Sequence, residues 1–313
     1  MTSTAVVTGG AGFIGSHVAA CFARRGYSVR VLDDLSTGDR ASCDSAWRLD
    51  EVDVRDADAV SECVAGADVM AHLAAYTSVP GSFELHAECY RTNVWGTWNV
   101  LEACVRHGVQ KLVFASSSSV YAELPEGPKS EKDCAEPISP YAVSKLEGEH
   151  LLGIFREARG LASVALRFFN VYGPRQAADS AYAAAVPIFI ERGLREEGLT
   201  VFGDGHQTRD FVHVEDVAEA VVRAAEAPAS GVYNVGTGQE IEILELADVI
   251  AELTGGPRDH HFEPRRAGDV RSSTADVSQV KKELDWKARR SLREGLASTV
   301  DWYRSRPEVE RPR

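Results

Sequence analysis

The sequence of 313 residues predicts an α/β fold, a doubly wound parallel sheet with a smaller, discontinuous α/β lobe. Three observations carry that expectation. Short apolar runs alternate with amphipathic helical stretches through the first half of the chain. Those runs are almost continuously apolar, as strands covered on both faces by helices must be. A glycine-rich turn, Gly9-Gly-Ala-Gly12-Phe-Ile-Gly15, follows the first run directly.

Taken in order, strands are expected at 5–8, 28–32, 69–73, 111–115 and 163–169, with helices at 17–25, 92–107 and 144–159. A late run, Val232-Tyr-Asn-Val235, is expected to return to the same sheet. Residues 171–210 break the rhythm with Gly173-Pro174, an alanine-rich helix-like piece and the loop Phe202-Gly-Asp-Gly-His-Gln-Thr-Arg-Asp210. After Gly236 come a helix over 243–253, the break Gly255-Gly-Pro257 and an arginine-rich loop. This assigns residues 1–170, together with 212–235, to the sheet domain, and 171–211 with 236–313 to the smaller lobe. The polar stretch 306–313 is expected to fray.

Hydrophobic residues make up 44% of the chain and charged residues 26%, which supports a large core and argues against disorder. A net charge of −13 argues against a nucleic-acid partner, because duplex binding needs a basic face to displace counterions. The six cysteines, at 21, 43, 63, 89, 104 and 134, form no CxxC pair and no Cys/His spacing for zinc. Reduced thiols and no metal are expected. The first strand begins almost at the initiator methionine, which reads as no room for a signal peptide. No run approaches the roughly 18 apolar residues of a membrane helix. A soluble, cytoplasmic protein with no membrane partner is expected.

Gly9, Gly12 and Gly15, with Phe13 and Ile14, lead from the first strand into the first helix. Backbone that turns tightly there approaches a pyrophosphate closely and aims helix N-terminal amides at it. Asp33 ends the second strand at the distance where an acid accepts hydrogen bonds from a ribose and repels a 2′-phosphate. The expected cofactor is NAD rather than NADP, in a Rossmann-type sheet. Tyr141 and Lys145, in Ser139-Pro-Tyr-Ala-Val-Ser-Lys145, stand at i and i+4 and share a helix face. An ammonium beside the phenol favours the phenolate and lowers its pKa from about 10, so Tyr141 can take a proton from an alcohol near neutral pH. With a dinucleotide loop, this is redox chemistry at a secondary alcohol.

The glycines stand three apart, as GxxGxxG, a spacing that resembles the extended short-chain dehydrogenase/reductases. Thr8-Gly-Gly-Ala-Gly-Phe-Ile-Gly15, Leu32-Asp-Asp-Leu-Ser-Thr-Gly38, His72-Leu-Ala-Ala75, Ser139 to Lys145, Leu166-Arg-Phe-Phe-Asn-Val-Tyr-Gly-Pro174 and Gly203 to His213 follow in order. Together they resemble the NAD-dependent nucleotide-sugar epimerase/dehydratase family over nearly the whole chain, UDP-hexose 4-epimerases above all. The resemblance makes Tyr141 the acid/base and Lys145 the residue that holds the nicotinamide ribose. Ser117, four residues before Tyr121, becomes the third catalytic member, with Ser116 and Ser118 as alternatives in a four-serine run. Asp34, Ser36, Thr37, Gly38 and Phe168 join the cofactor contacts. Asp53 and Val54 fall where relatives hold the adenine, although Asp53 also reads as a helix N-cap before Ala57. Leu73, Ala74 and Ala75 fall where the backbone passes the cofactor, and Asn93 where it steadies the active-site backbone.

For the substrate, the resemblance places Arg209 and Arg266 on the diphosphate, Asp269 on the nucleotide ribose and Asn170 on the diphosphate or sugar. Thr77, Ser78 and Ser118 are expected to line the sugar pocket. Ser273, five residues after Gly268, stands where a tyrosine restricts related epimerases to plain hexoses, so a 2-acetamido group is expected to be tolerated. Ser118 and Ser119 occupy the positions where dehydratases carry an acid pair and decarboxylating relatives a glutamate, which favours epimerisation. The alternatives kept open are a UDP-glucuronate 4-epimerase, with Arg175 or Arg271 serving the carboxylate, a dehydratase or 4-ketoreductase, and a non-catalytic NAD-sensing scaffold. Helices over 83–107 and 144–159 resemble those of a four-helix dimer interface, so a homodimer is expected.

Overall fold

A computed structural model describes residues 2–121, 127–177, 184–265 and 270–306. The first half runs β1 (Thr4–Thr8), α1 (Phe13–Arg24), β2 (Ser28–Asp33), β3 (Arg48–Glu51), α2 (Ala57–Val64) and β4 (Val69–His72). It continues through α3 (Gly81–Glu84), α4 (His86–Tyr90), α5 (Gly96–His107), β5 (Lys111–Ser117), α6 (Pro140–Arg159) and β6 (Ser163–Phe168). After these come β7 (Asn170–Tyr172), α7 (Ala185–Leu194), β8 (Leu199–Phe202), β9 (Thr208–Arg209), β10 (Phe211–His213), α8 (Val214–Glu226) and β11 (Gly231–Val235). The chain closes with β12 (Ile241–Glu242), α9 (Ile243–Thr254), β13 (His260–Glu263), β14 (Ser272–Ser273), α10 (Ser278–Glu283) and α11 (Leu292–Ser305).

Seven parallel strands form the central sheet in the order β11-β6-β5-β4-β1-β2-β3. The order reverses between β1 and β4, and in such sheets the crevice beyond the strand C-termini at that switch point receives the ligand. One face is packed by Val18, Phe22, Val217 and Val221 from α1 and α8, the other by Val60, Leu101, Leu152 and Phe155 from α2, α5 and α6. The strands are apolar on both sides because both sides are covered, and that is why no alternation marks them in the sequence. A third apolar cluster gathers Tyr172, Phe189, Leu199, Ile243, Leu246 and Leu296. Around it lie three small sheets, β10-β7, β12-β9-β14 and β13-β8.

The expected strands and helices stand where the pattern puts them, with shifts at helix starts; the stretch expected over 92–107 is a π-helical turn, Arg91–Trp95, followed by α5. α1 begins at Phe13 and α6 at Pro140, each four residues before its amphipathic stretch. In both, the first turn carries the chemistry instead of the apolar stripe. The alanine-rich piece lies mostly in 178–183, outside the described residues, and α7 follows it. Among the described residues no helix is long and apolar enough to cross a membrane. All six cysteines are free, four of them buried.

Candidate active site

The crevice is built first by the turn after β1. Gly12 is the N-cap of α1, and no side chain caps this helix or adds an acid to its first turn. Its leading amides and positive dipole end therefore suit an external anion. Glycine is required at two points of the turn. Gly9 lies at φ +66°, where a Cβ would meet Ala74 N at 2.8 Å, and a Cβ on Gly15 would stand 2.0 Å from Gly9 O. Leu73 N and Ala74 N both donate to Thr8 Oγ1 at 3.1 Å, so the segment after β4, Leu73 to Ala75, is held against β1. Phe13 and Ile14 are half-buried in the first turn of α1.

Asp33 ends β2 with 6% exposure. Its Oδ2 accepts from Ala11 N and its Oδ1 from Leu35 N, each at 2.9 Å. Burial raises its carboxyl and these two amides pull it back. Asp34 Oδ1 accepts from Ser36 N and Ser36 Oγ, while Thr37 is exposed beside them. Gly38 lies so near that a Cβ would stand 2.7 Å from Asp33 Oδ1. Val54 is buried, and its carbonyl accepts from Asn99 Nδ2 at 3.0 Å. Asp53 is held by Arg55, whose guanidinium keeps that carboxyl below the usual range. It is not the cap of α2: Asp56, directly before Ala57, takes that role by accepting from Ala59 N at 3.1 Å. Phe168 closes β6 with 7% exposure. An uncapped helix end, a glycine turn that admits no side chain and a carboxylate at the end of the second strand fit the pyrophosphate and adenosine of NAD.

Catalytic residues come from the next two elements. α6 starts sharply because Ser139 Oγ accepts from Ala142 N at 3.1 Å and Pro140 sits in its first turn; such a cap contributes about 1 kcal/mol. Gly160, at φ 71°, ends it. The orphan amide of Tyr141 donates to Ser82 Oγ at 3.2 Å. Ser117 bears on the Tyr141 phenol, favouring its ionised form, and accepts from Ser119 Oγ at 2.9 Å. Ser116 is engaged elsewhere, donating to Glu149, and half-buried Ser118 opens a 3-10 turn over Ser118–Tyr121. Lys145 Nζ donates to Ala115 O at 2.8 Å and stands 5.8 Å from the Tyr141 ring centroid.

Here the structure corrects one expectation. Burial pushes the Tyr141 phenol up to about 12, more than Ser117 lowers it, and pushes the Lys145 ammonium down to about 8. Desolvation disfavours both charged forms and outweighs the helix-face proximity that the sequence spacing emphasises.

Asn93 sits in a π-helical turn over Arg91–Trp95. Its Oδ1 accepts from Tyr76 N at 2.7 Å, and its Nδ2 donates to Tyr76 O at 3.1 Å and Ser144 Oγ at 2.9 Å. Ser144 Oγ in turn donates to Tyr141 O at 2.7 Å. One amide thus ties the segment after β4 to the first turn of α6. Cys89 adds a thiol to the same cluster, 3.5 Å from Asn93 Nδ2. Ser144, Cys89 and Ser82 were not foreseen; Ser144 alone had a sequence signal, standing three residues after Tyr141 on one helix face.

The remaining predicted residues fall into two groups. Thr77, exposed, and Ser78, whose Oγ accepts from Gly81 N at 3.0 Å, follow β4 and open α3. Asn170, Arg209 and Ser273 gather around Asp210 instead. Asn170 donates to Asp210 O from its amide at 3.0 Å and from Nδ2 at 3.2 Å. Arg209 lies in the short strand β9 rather than a loop, with Ser273 of β14 as its ladder partner. The Asp210 carboxylate accepts from Thr237 N at 2.7 Å, Gly238 N at 2.9 Å and Ala275 N at 3.2 Å, which pins three separate segments together. Arg266 and Asp269 lie outside the described residues.

A doubly wound sheet with this glycine turn and a Ser–Tyr–Lys constellation defines a dinucleotide-dependent enzyme of the short-chain dehydrogenase/reductase class. Residues 5–236 match the NAD dependent epimerase/dehydratase family. The UDP-glucose 4-epimerase of Mycolicibacterium smegmatis is 39% identical, over 97% of this chain and 99% of its own. The crystal structure of Thermotoga maritima UDP-glucose 4-epimerase with UDP-glucose superposes with a TM-score of 0.94 at 37% identity, covering 96% of this chain and 98% of that one. The Thermus thermophilus UDP-glucose 4-epimerase complex with NAD gives 0.91 at 38% identity, covering 96% and 99%. A dTDP-glucose 4,6-dehydratase of Streptomyces niveus is also 34% identical, over 96% of this chain and 92% of its own. The chain belongs to the NAD-dependent epimerase/dehydratase family, and NAD is its cofactor.

Proposed function

We propose that this protein is an NAD-dependent UDP-sugar 4-epimerase acting through a transient 4-keto sugar. The observation that carries the reading is that hydroxyls, not carboxyls, stand at Ser118 and Ser119, directly after Ser117 and beside a Tyr141–Lys145 pair on one helix face. Elimination of water needs a general acid at that register, and none is there. Inverting a secondary alcohol needs only a proton acceptor and a hydride acceptor on one oxygen-bearing carbon.

When bound, NAD supplies the hydride acceptor and, oxidised, a positive charge that favours the phenolate. Tyr141 Oη removes the proton of the C4 hydroxyl, and Ser117 Oγ orients that hydroxyl. Lys145, anchored on Ala115 O, supplies a cation on the same helix face and holds the nicotinamide ribose. Once C4 is a planar ketone, the sugar would turn about its diphosphate link so that the hydride the reduced cofactor supplies reaches the opposite face, and Tyr141 would give the proton back. Arg209 and Arg266 suit the diphosphate because a guanidinium makes paired charge-assisted bonds to phosphate oxygens. Ser273, beside Arg209, is small where a tyrosine would exclude a 2-acetamido group, which supports UDP-N-acetylhexosamines as substrates beside UDP-glucose and UDP-galactose.

The test is incubation of the purified protein, with no added cofactor, with UDP-glucose, UDP-galactose, UDP-N-acetylglucosamine and UDP-glucuronic acid, followed by separation of products. A 4-epimer of unchanged mass is expected. A product lighter by one water would make the protein a dehydratase, and release of carbon dioxide a decarboxylase.

A further inference from the structure

Ser116 and Ser117 are adjacent at the end of β5 and bear on two residues of one helix, Glu149 and Tyr141 of α6. Phe114 faces α6, so closely that a Cβ on Gly148 would stand 2.4 Å from Phe114 Cζ. Two residues on, Ser116 also faces α6 and donates to Glu149 Oε1. Glu149 lies one turn beyond Lys145 and two beyond Tyr141, on the same helix face. Its carboxylate is clamped by Arg167, Nε to Oε1 at 2.8 Å and Nη2 to Oε2 at 2.6 Å. Arg167 is the ladder partner of Ser116 in the β5–β6 pair, and Ser117 pairs with Phe168. The Glu149 and Arg167 side chains are 4% and 6% exposed. One buried ring therefore ties the end of β5, the end of β6 and the catalytic helix together.

Resting on the 4-epimerase reading, we propose that the Ser116–Glu149 contact is the positioning device of the active site, holding the end of β5 so that Ser117 meets the Tyr141 phenol. β5 gives way to a 3-10 turn directly after Ser117, where a strand end is prone to fray. An anchor one residue earlier, to a charged acceptor, resists that fraying more strongly than a neutral bond does. Ser116 and Glu149 touch no reacting atom; they act through Ser117.

Ser116→Ala removes the contact and keeps the Glu149–Arg167 pair, so no buried charge is left uncompensated. A fall in kcat of about 3- to 10-fold is expected, with KM, bound NAD and melting temperature unchanged. In a Ser117→Ala background the same substitution should change nothing further, since two residues acting through one contact are not additive. A second measurement needs no substrate: ultraviolet titration of the Tyr141 phenol, read as the difference between the protein and its Tyr141→Phe variant. Ser117 from β5, Lys145 from α6 and Cys89 from α4 face that phenol, and Ser116→Ala alters none of them. Its titration should move to higher pH as Ser117 draws away. If no UDP-sugar is epimerised but the titration moves, the function reading fails and this inference stands. Unchanged kcat and an unmoved titration, or a full effect of Ser116→Ala without Ser117, would overturn it.

Discussion

Lys145 directs its ammonium at a backbone carbonyl: Nζ donates to Ala115 O at 2.8 Å and stands 5.8 Å from the centroid of the Tyr141 ring. The lysine is thereby a fixed strut between α6 and β5. Burial moves the phenol and the ammonium in opposite directions, each towards its neutral form.

Tyr141→Phe should lower turnover by about 10²- to 10⁴-fold, the usual weight of a positioned acid/base, while bound NAD is retained. Product separation and the absorbance of NAD released on denaturation check both halves. Residual activity within threefold of the parent would move the acid/base to another group.

Asp33 sits where a 2′-phosphate would meet a buried carboxylate that two amides already hold. Cofactor-stripped protein should therefore bind NAD at least about tenfold more tightly than NADP, and Asp33→Ser should narrow the gap, mostly by weakening NAD. Calorimetric titration with each nucleotide decides it; equal affinities in the parent would refute the assignment.

Ser273 is the ladder neighbour of Arg209, and on the proposed reading a bulky side chain there would crowd the sugar. Ser273→Tyr should cut kcat/KM for UDP-N-acetylglucosamine by at least about tenfold, as a clash at a packed pocket does, and spare UDP-glucose. Parallel losses on both sugars would show that position 273 does not select at C2.

His72 and His213 are neutral in the fold, held by burial at about 3 and about 4 against an ordinary 6.5. At His72 the bonds explain why. Thr8 Oγ1 accepts from two amides and so must donate to Nδ1, while Nε2 donates to Thr97 Oγ1; a second ring proton would face a donor. Because the folded values lie below the unfolded one, this stability is complete above pH 6.5 and is lost as pH falls towards 4. Between pH 7 and 5.5 each histidine should cost about 1 kcal/mol. Urea midpoints at the two pH values test it, and His213→Gln should flatten the slope.

Phe83 and Trp95 are 61% and 64% exposed, on or beside helices that flank the catalytic one. A second copy of this chain would cover them, and Trp95→Glu should shift the mass seen by light scattering at micromolar protein from dimer to monomer. A parent that is already monomeric there would remove the dimer from the reading.

The sheet and the cofactor turn were readable because they rest on local spacing: a glycine triplet after a strand, an acid one strand later, a tyrosine and a lysine one turn apart. What the sequence concealed depends on distant segments meeting. Nothing in the order of residues tells that Ser116 turns to Glu149 while Ser117 turns to Tyr141, or that Asn93 reaches Ser144 across 51 positions. The electrostatics were misread for the same reason, since spacing gives neighbours and not the water removed from them. The apolar stripe marks α6 only from 144, and its start is marked instead by Ser139 as cap and Pro140 in the first turn.

The hydroxyl of Tyr121 donates to Asn234 Oδ1 at 2.7 Å, and Asn234 also holds Lys129 O at 2.7 Å. The serine turn is thus fastened from its far end by a residue made 113 positions later. As the chain leaves the ribosome, Tyr141 and Lys145 emerge well before the strand that steadies their surroundings. A nascent chain stalled anywhere before β11 carries the catalytic side chains and lacks their frame, so competence should arrive abruptly, late in synthesis, and not in proportion to the length made.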